Sequence, residues 1–264
     1  SPKQLSFNKE AMKNMTRLRI FHICYEYGYK RGSSLSDDSN CPIEYFSNNL
    51  CWFVWRYYPW KSLPEKFKPQ KLVHLDLRWS SLHHLWNETK FLPCLKTLNL
   101  SESKRLIETP DFIKMPNLEY LYLYACTSLQ EVHPSLRCCR KLKMLVLDGC
   151  ESLVRFSYVN VESLEYLYLR NCSSLEKFPE ILGIMKPELE IKMEGCSGIR
   201  ELSSSFFQPQ AHLTKLDLKE CSNFVSLSSS ICMLKGLVKL DVSECENLET
   251  LPEEIGDLEN LEEF

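Results

Sequence analysis

Apolar residues return along this chain in one short phrase. The stretches "LYLYACTSL" at 121–129, "LVLDGCESL" at 145–153, "LYLRNCSSL" at 167–175, "LDLKECSNF" at 216–224 and "LDVSECENL" at 240–248 share a layout. An apolar residue, a variable one and a second apolar one come first. A cysteine follows three positions on, and another apolar residue three after that. Alternation over the opening positions predicts a short strand, apolar on one face and variable on the other.

Six cysteines keep this register: Cys126, Cys150, Cys172, Cys196, Cys221 and Cys245, at spacings of 24, 22, 24, 25 and 24. Going backwards, Ser103, Ser80 and Tyr58 hold the same position at spacings of 23, 23 and 22. Nine consecutive copies of L-x-x-L-x-L-x-x-C-x-x-L define a leucine-rich repeat with Cys where Asn often stands. No copy can bury its apolar face alone, so stacking is obligatory. The fold class that follows is an α/β solenoid, a horseshoe with short parallel strands on the concave face and irregular or 3₁₀ segments on the convex face. Pro64, Pro110, Pro179 and Pro252 suit the convex side, where no ladder N–H is needed. The recurring cysteine follows the strand and points inward as a small core residue with a weak S–H donor.

Residues 15–264 read as about ten to eleven repeats. A worn first copy is expected at Met15, Leu18 and Ile20, and an eleventh opens at Leu258 and Leu261. Residues 1–14 read as a helix-like linker that shields the first repeat. The stretch "GYKRGSSLSDDSNCPIEYFSNN" at 28–49 reads as an exposed loop insertion, from its Gly, Ser, Asp and Asn content. The C-terminus "EEIGDLENLEEF" ends inside a repeat without a polar cap, so the natural chain is expected to continue.

Composition narrows the chemistry. A net charge of -3 over 264 residues gives no electrostatic reason for a nucleic-acid or membrane-surface partner. No apolar run reaches the length of a bilayer span, and no signal-peptide core is visible. Thirteen cysteines without any C-x-x-C pair fit neither a zinc site nor a small disulfide scaffold. His22, His74, His83, His84, His133 and His212 form no metal-binding pair, and no nucleophile elbow or phosphate loop occurs. The sequons at Asn14, Asn87 and Asn171 matter only in a secreted protein. The reading is therefore no enzyme, no metal and no cofactor in this fragment.

The variable strand positions make up the concave surface. Early copies place Trp52, Val54, Arg56 and Tyr57, then His74, Asp76, Arg78 and Trp79. A polar copy follows with Thr97, Asn99, Ser101 and Glu102. Next come Tyr120, Tyr122 and Tyr124, then Met144, Val146 and Asp148, then Tyr166, Tyr168 and Arg170. Late copies carry Glu190, Lys192, Glu194, Lys215, Asp217, Lys219, Glu220, Lys239, Asp241 and Glu244 and read as a solvated, self-paired face. Tyr, Trp and Arg dominate protein–protein hot spots, because they bury much area and keep a polar handle. The expected protein-binding residues are Trp52, Arg56, Tyr57, His74, Arg78, Trp79, Tyr120, Tyr122, Tyr124, Met144, Tyr166, Tyr168 and Arg170. The alternative is that the rings stack on one another and only stabilise the sheet.

Four segments carry a family resemblance: "YPWKSLP", "LVHLDLRWSSLHHLW", "TPDFIKMPNLEYLYLYAC" and "LPEEIGDLENL". The chain resembles the leucine-rich repeats of plant intracellular immune receptors of the TIR–nucleotide-binding–leucine-rich-repeat class. Within that class, "NVESLEYLYLRNCSSLEKFPEI" is similar to the antiviral N-type receptors of the nightshades. The resemblance implies a cytoplasmic or nuclear protein whose repeats read a pathogen effector or viral protein. It also implies an intramolecular hold on the receptor's own nucleotide-binding domain, homo-oligomers on activation, and a hypersensitive cell-death response. ATP/ADP and an NAD-cleaving TIR domain are implied only for domains outside this chain. An extracellular leucine-rich-repeat receptor and an adaptor scaffold are the competing readings.

Overall fold

The computed structural model describes residues 9–24, 43–207 and 212–264. Ten short strands form one all-parallel sheet. They are β1 (Ile20–Ile23), β2 (Trp52–Trp55), β3 (His74–Asp76), β4 (Thr97–Asn99), β5 (Tyr120–Tyr122), β7 (Met144–Val146), β10 (Tyr166–Tyr168), β12 (Glu190–Lys192), β13 (Lys215–Asp217) and β14 (Lys239–Asp241). Their spatial order follows the chain, as the repeat requires. Between them, β6 (Glu131–Val132) pairs with β8 (Arg155–Phe156), and β9 (Tyr158–Asn160) pairs with β11 (Glu180–Leu182). The leucine template does not predict these two small parallel sheets. They use chain that the leucine template leaves blank.

The alternation sets each strand's burial. In β5, β7 and β10 the central leucine is fully buried and the flanking residues are half-buried. The register places Leu121, Leu145 and Leu167 side by side. The side opposite the sheet carries the 3₁₀ turns Pro134–Cys138, Ser229–Met233 and Glu253–Asp257. Strands pack about 4.8 Å apart, closer than these bulkier turns allow. The sheet therefore takes the inside of the curve.

The recurring cysteines form a hydrogen-bonded ladder. Each thiol donates back to a strand-end carbonyl in the preceding repeat: Cys126 to Leu100 at 3.3 Å, Cys150 to Leu123 at 3.2 Å, Cys172 to Leu147 at 3.3 Å and Cys196 to Leu169 at 2.9 Å. Cys221 and Cys245 repeat the pattern on Met193 and Leu218. Further up, Ser103 and Ser80 share a 2.7 Å hydroxyl contact in place of thiols. Burial pushes the Cys126 thiol up to about 12 and holds that of Cys150 well above the usual thiol range. At Cys196 a hydrogen bond with Cys172 acts with burial in the same direction. Such groups pack as small neutral residues and resist ionisation.

One residue before each ladder position the backbone turns left-handed. Gly149 and Gly195 supply this freely at φ 75° and 73°. Tyr57, Trp79, Glu102, Ala125, Asn171, Glu220 and Glu244 take it at φ between 52° and 61°. L-residues reach this region at a cost of roughly 1–2 kcal/mol. The strain turns the chain from strand to convex course in every copy, and inward packing of the next residue holds it there.

The N-terminal end departs from the expected pattern. The worn copy lies three residues further on than Met15, Leu18 and Ile20 suggest. Strand β1 pairs Phe21 with Phe53 and Ile23 with Trp55, so Leu18, Phe21 and Ile23 meet the core. Met15 is exposed, and Ile20 takes a variable-face position opposite Trp52. Phe21 decides the register: it stacks on Phe53 at 5.0 Å. The loop reading of 28–49 also fails at its far end, where Ile43, Phe46 and Ser47 are buried. Phe46 meets Phe53 and Phe67 edge-on at 5.1 and 5.8 Å. Residues 28–42 lie outside the described residues. Helix Lys9–Asn14 adds the buried Met12 to this aromatic end of the core.

Candidate functional site

The variable strand positions line up in rows across the sheet. One row runs Trp52, His74, Thr97, Tyr120, Met144, Tyr166 and Glu190. The next runs Val54, Asp76, Asn99, Tyr122, Val146, Tyr168, Lys192, Asp217 and Asp241. The expected binding residues therefore fall in two zones separated by polar β4.

The first zone spans β2, β3 and the turns after them. Trp52 stacks on His74 at 3.8 Å, and Tyr57 on Trp79 at 5.3 Å. Arg56 and Arg78 both lie over the Trp79 ring, at 5.8 and 5.3 Å. Beneath them is Asp76, only 3% exposed. Arg78 grips it with Nε at 3.0 Å and Nη2 at 2.8 Å. Burial works to raise the Asp76 pKa, but the Arg78 hydrogen bonds and both guanidinium charges hold it below the ordinary value. His74 is lowered, chiefly by burial and further by the Arg78 charge, against the pull of Asp76.

The second zone spans β5, β7 and β10. Met144 lies between Tyr120 and Tyr166, and Val146 between Tyr122 and Tyr168, so the rings and the apolar strip form one patch. Tyr124 is 49% exposed at its rim. Tyr168 is held on several sides: its hydroxyl donates to Glu190 at 2.9 Å, Lys192 Nζ sits 4.6 Å above its ring, and Tyr166 meets it edge-on. Burial raises the Tyr168 pKa, and Glu190 raises it further. For Tyr122 burial leads and Tyr120 adds to it. Arg170 binds Asp148 through Nη2 at 2.6 Å and Nε at 2.9 Å.

Several residues read as concave surface sit lower than that. Asp76 and Asp148 are buried beneath arginines and act as counterions. Val54, at 3% exposed, is core. The Asp148–Arg170 pair had a legible signal, since the two stand one repeat length apart, but the strand register was needed to join them. The late copies do pair with themselves: Lys192 with Glu190, Lys219 with Glu220 and Glu244, and Lys239 with Glu263. Among the described residues no group of three His, Cys, Asp or Glu could hold a metal ion, and no helix is long and apolar enough to cross a membrane.

Comparison with known proteins places the chain among repeats of the same kind. The Leucine Rich Repeat family model matches residues 163–185. TMV resistance protein N of Nicotiana glutinosa is 56% identical over 260 residues, which is 98% of this chain and 22% of that protein. Disease resistance protein RML1B of Arabidopsis thaliana is 38% identical over 56% of this chain and 14% of its own length. The chain thus spans about a fifth or less of these relatives. Among solved structures, the leucine-rich repeat domain of the type III effector XopL matches with a TM-score of 0.54 at 23% identity, over 79% of this chain and 74% of that one. That likeness speaks for the fold alone.

Proposed function

From a chain that is a leucine-rich-repeat homologue of plant disease-resistance proteins, we propose the partner-recognising part of an intracellular resistance receptor. The observation that carries the reading is the second zone. Three neighbouring strands present Tyr120, Tyr122, Met144, Val146, Tyr166 and Tyr168 on one face, in positions a solvated sheet would fill with polar residues. Aromatic area of this kind, rimmed by the Arg170–Asp148 and Lys192–Glu190 pairs, has the make-up of a protein-binding hot spot. The similarity to TMV resistance protein N supports a pathogen protein, specifically a viral one, as the partner. Binding would release a hold on the rest of the receptor and start defence and hypersensitive cell death. The chain acts by binding and catalyses nothing itself.

The test is co-expression in leaf tissue of the whole receptor with candidate viral proteins, scored for cell death. Tyr122→Ala with Tyr168→Ala should abolish the response at unchanged receptor level. A response without any viral protein would instead assign the patch to a contact inside the receptor. An unchanged response favours a second reading, in which Glu190 and Lys192 hold Tyr168 for the sheet's own stability.

A further inference from the structure

The two zones differ in charge. In the second, one carboxylate serves one guanidinium, Asp148 for Arg170. In the first, Asp76 serves two. Arg78 takes both of its oxygens, while Arg56 Nε stands off at 3.6 Å and has no hydrogen-bond partner. His74 adds no counter-charge, and the carboxylate on the next repeat, Glu102, faces Lys104 at 3.7 Å. Among the described residues one guanidinium charge is therefore left over in the lap of the sheet.

The surroundings keep that charge presented. The Trp79 ring, braced by its stack with Tyr57, holds both guanidiniums over its face. Both arginine side chains remain about 30% open, at 31% and 29% exposed. On the other edge Trp52, 43% exposed and stacked flat on His74, offers an apolar plank. A planar guanidinium, held over an aromatic ring and short of one carboxylate, suits a carboxylate from outside.

We propose that the first zone docks an acidic side chain of a protein partner, with an apolar residue beside it resting on Trp52. This deepens the recognition reading above and depends on it: the aromatic zone supplies buried area, and the arginine zone supplies register and charge selectivity. The partner segment is an exposed stretch in which Asp or Glu neighbours an aromatic or aliphatic residue.

The probe is a library of random heptapeptides displayed on phage and selected against this chain at low salt. Selected peptides should be enriched in Asp or Glu beside an apolar residue. A synthetic peptide of that pattern should bind Arg56→Gln about tenfold or more weakly than the parent chain. Changing its acid to the amide should weaken binding to the parent by a similar factor and to Arg56→Gln hardly at all. Arg56→Gln leaves the Arg78–Asp76 pair in place, so its melting temperature should match the parent's, and Lys219→Gln should change nothing. Peptides without an acidic signature, or unchanged affinity in Arg56→Gln, overturn the proposal. If binding is instead lost only in Tyr122→Ala with Tyr168→Ala, the aromatic reading stands and the acidic anchor falls. Insensitivity to both sets of changes removes both.

Discussion

Raising the pH should unfold this protein through its thiol ladder, and Cys126→Ser should blunt the effect. Burial moves the Cys126 pKa from an ordinary 9.0 to about 12, against a backbone N–H hydrogen bond and with help from the Glu102 charge. A raised folded-state pKa means that the folded chain holds its proton more tightly than the unfolded one. The stabilisation is complete below pH 9 and drains away as pH climbs towards 12. Each pH unit in that window removes about 1.4 kcal/mol per thiol, so at pH 10.5 Cys126 alone accounts for about 2 kcal/mol. Cys150 and Cys221 are raised as well, as are Tyr122, Tyr168, Lys192 and Lys219, and all of them lose stability in the same direction. The single substitution isolates one term from that sum. Serine is tolerated at the ladder position, since Ser80 and Ser103 already fill it. The assay is urea unfolding followed by tryptophan fluorescence between pH 8 and 10.5, with reductant present. The parent's stability should fall more steeply above pH 9 than the variant's, by about 1.4 kcal/mol per unit. Two parallel curves would refute the ladder as a buried, proton-bound element.

Two further outcomes follow from the packing. Leu145→Ala empties a fully buried site between Leu121 and Leu167 and should cost about 2–5 kcal/mol in denaturant unfolding; hydrogen exchange should rise mainly in β5, β7 and β10, and an even rise along the chain would contradict the nearest-neighbour view of the solenoid. Ala125→Gly should raise stability by about 0.5–1 kcal/mol, because Ala125 sits at φ 52° where the next copy has Gly149, and a loss measured by the same unfolding curve would show that its methyl packs usefully.

Much of this structure was legible because a repeat states its own register. One strand position, once known, fixes all the others by spacing, and the recurring cysteine marks an inward-facing residue by its spacing alone. Adjacency of the Tyr120, Met144 and Tyr166 strands also followed from sequence order alone. Four things did not. The worn first copy was misplaced because Phe21 and Ile23, which carry its register, are no leucines, whereas Leu18 offered a plausible but shifted fit. Ile43 and Phe46 were hidden inside a stretch whose polar composition spoke for a loop, and only packing against Phe53 and Phe67 shows them as core. Asp76 and Asp148 looked like surface acids, since nothing in alternation tells a carboxylate facing water from one covered by an arginine. The left-handed residue before each ladder position was masked by its variety: tyrosine, tryptophan, glutamate, alanine and asparagine share no visible signature for it.

The central claim is that a protein partner is read by the aromatic face of the sheet. Its most direct measurement is the dissociation constant between the receptor and the viral partner proposed for it, by calorimetry, for the parent and for Tyr122→Ala with Tyr168→Ala. Loss of a central anchor is worth about 2 kcal/mol or more, so affinity should fall about thirtyfold or further while the melting curve stays close to the parent's. Equal affinity in the two proteins would contradict the claim and leave the tyrosines as struts of the sheet.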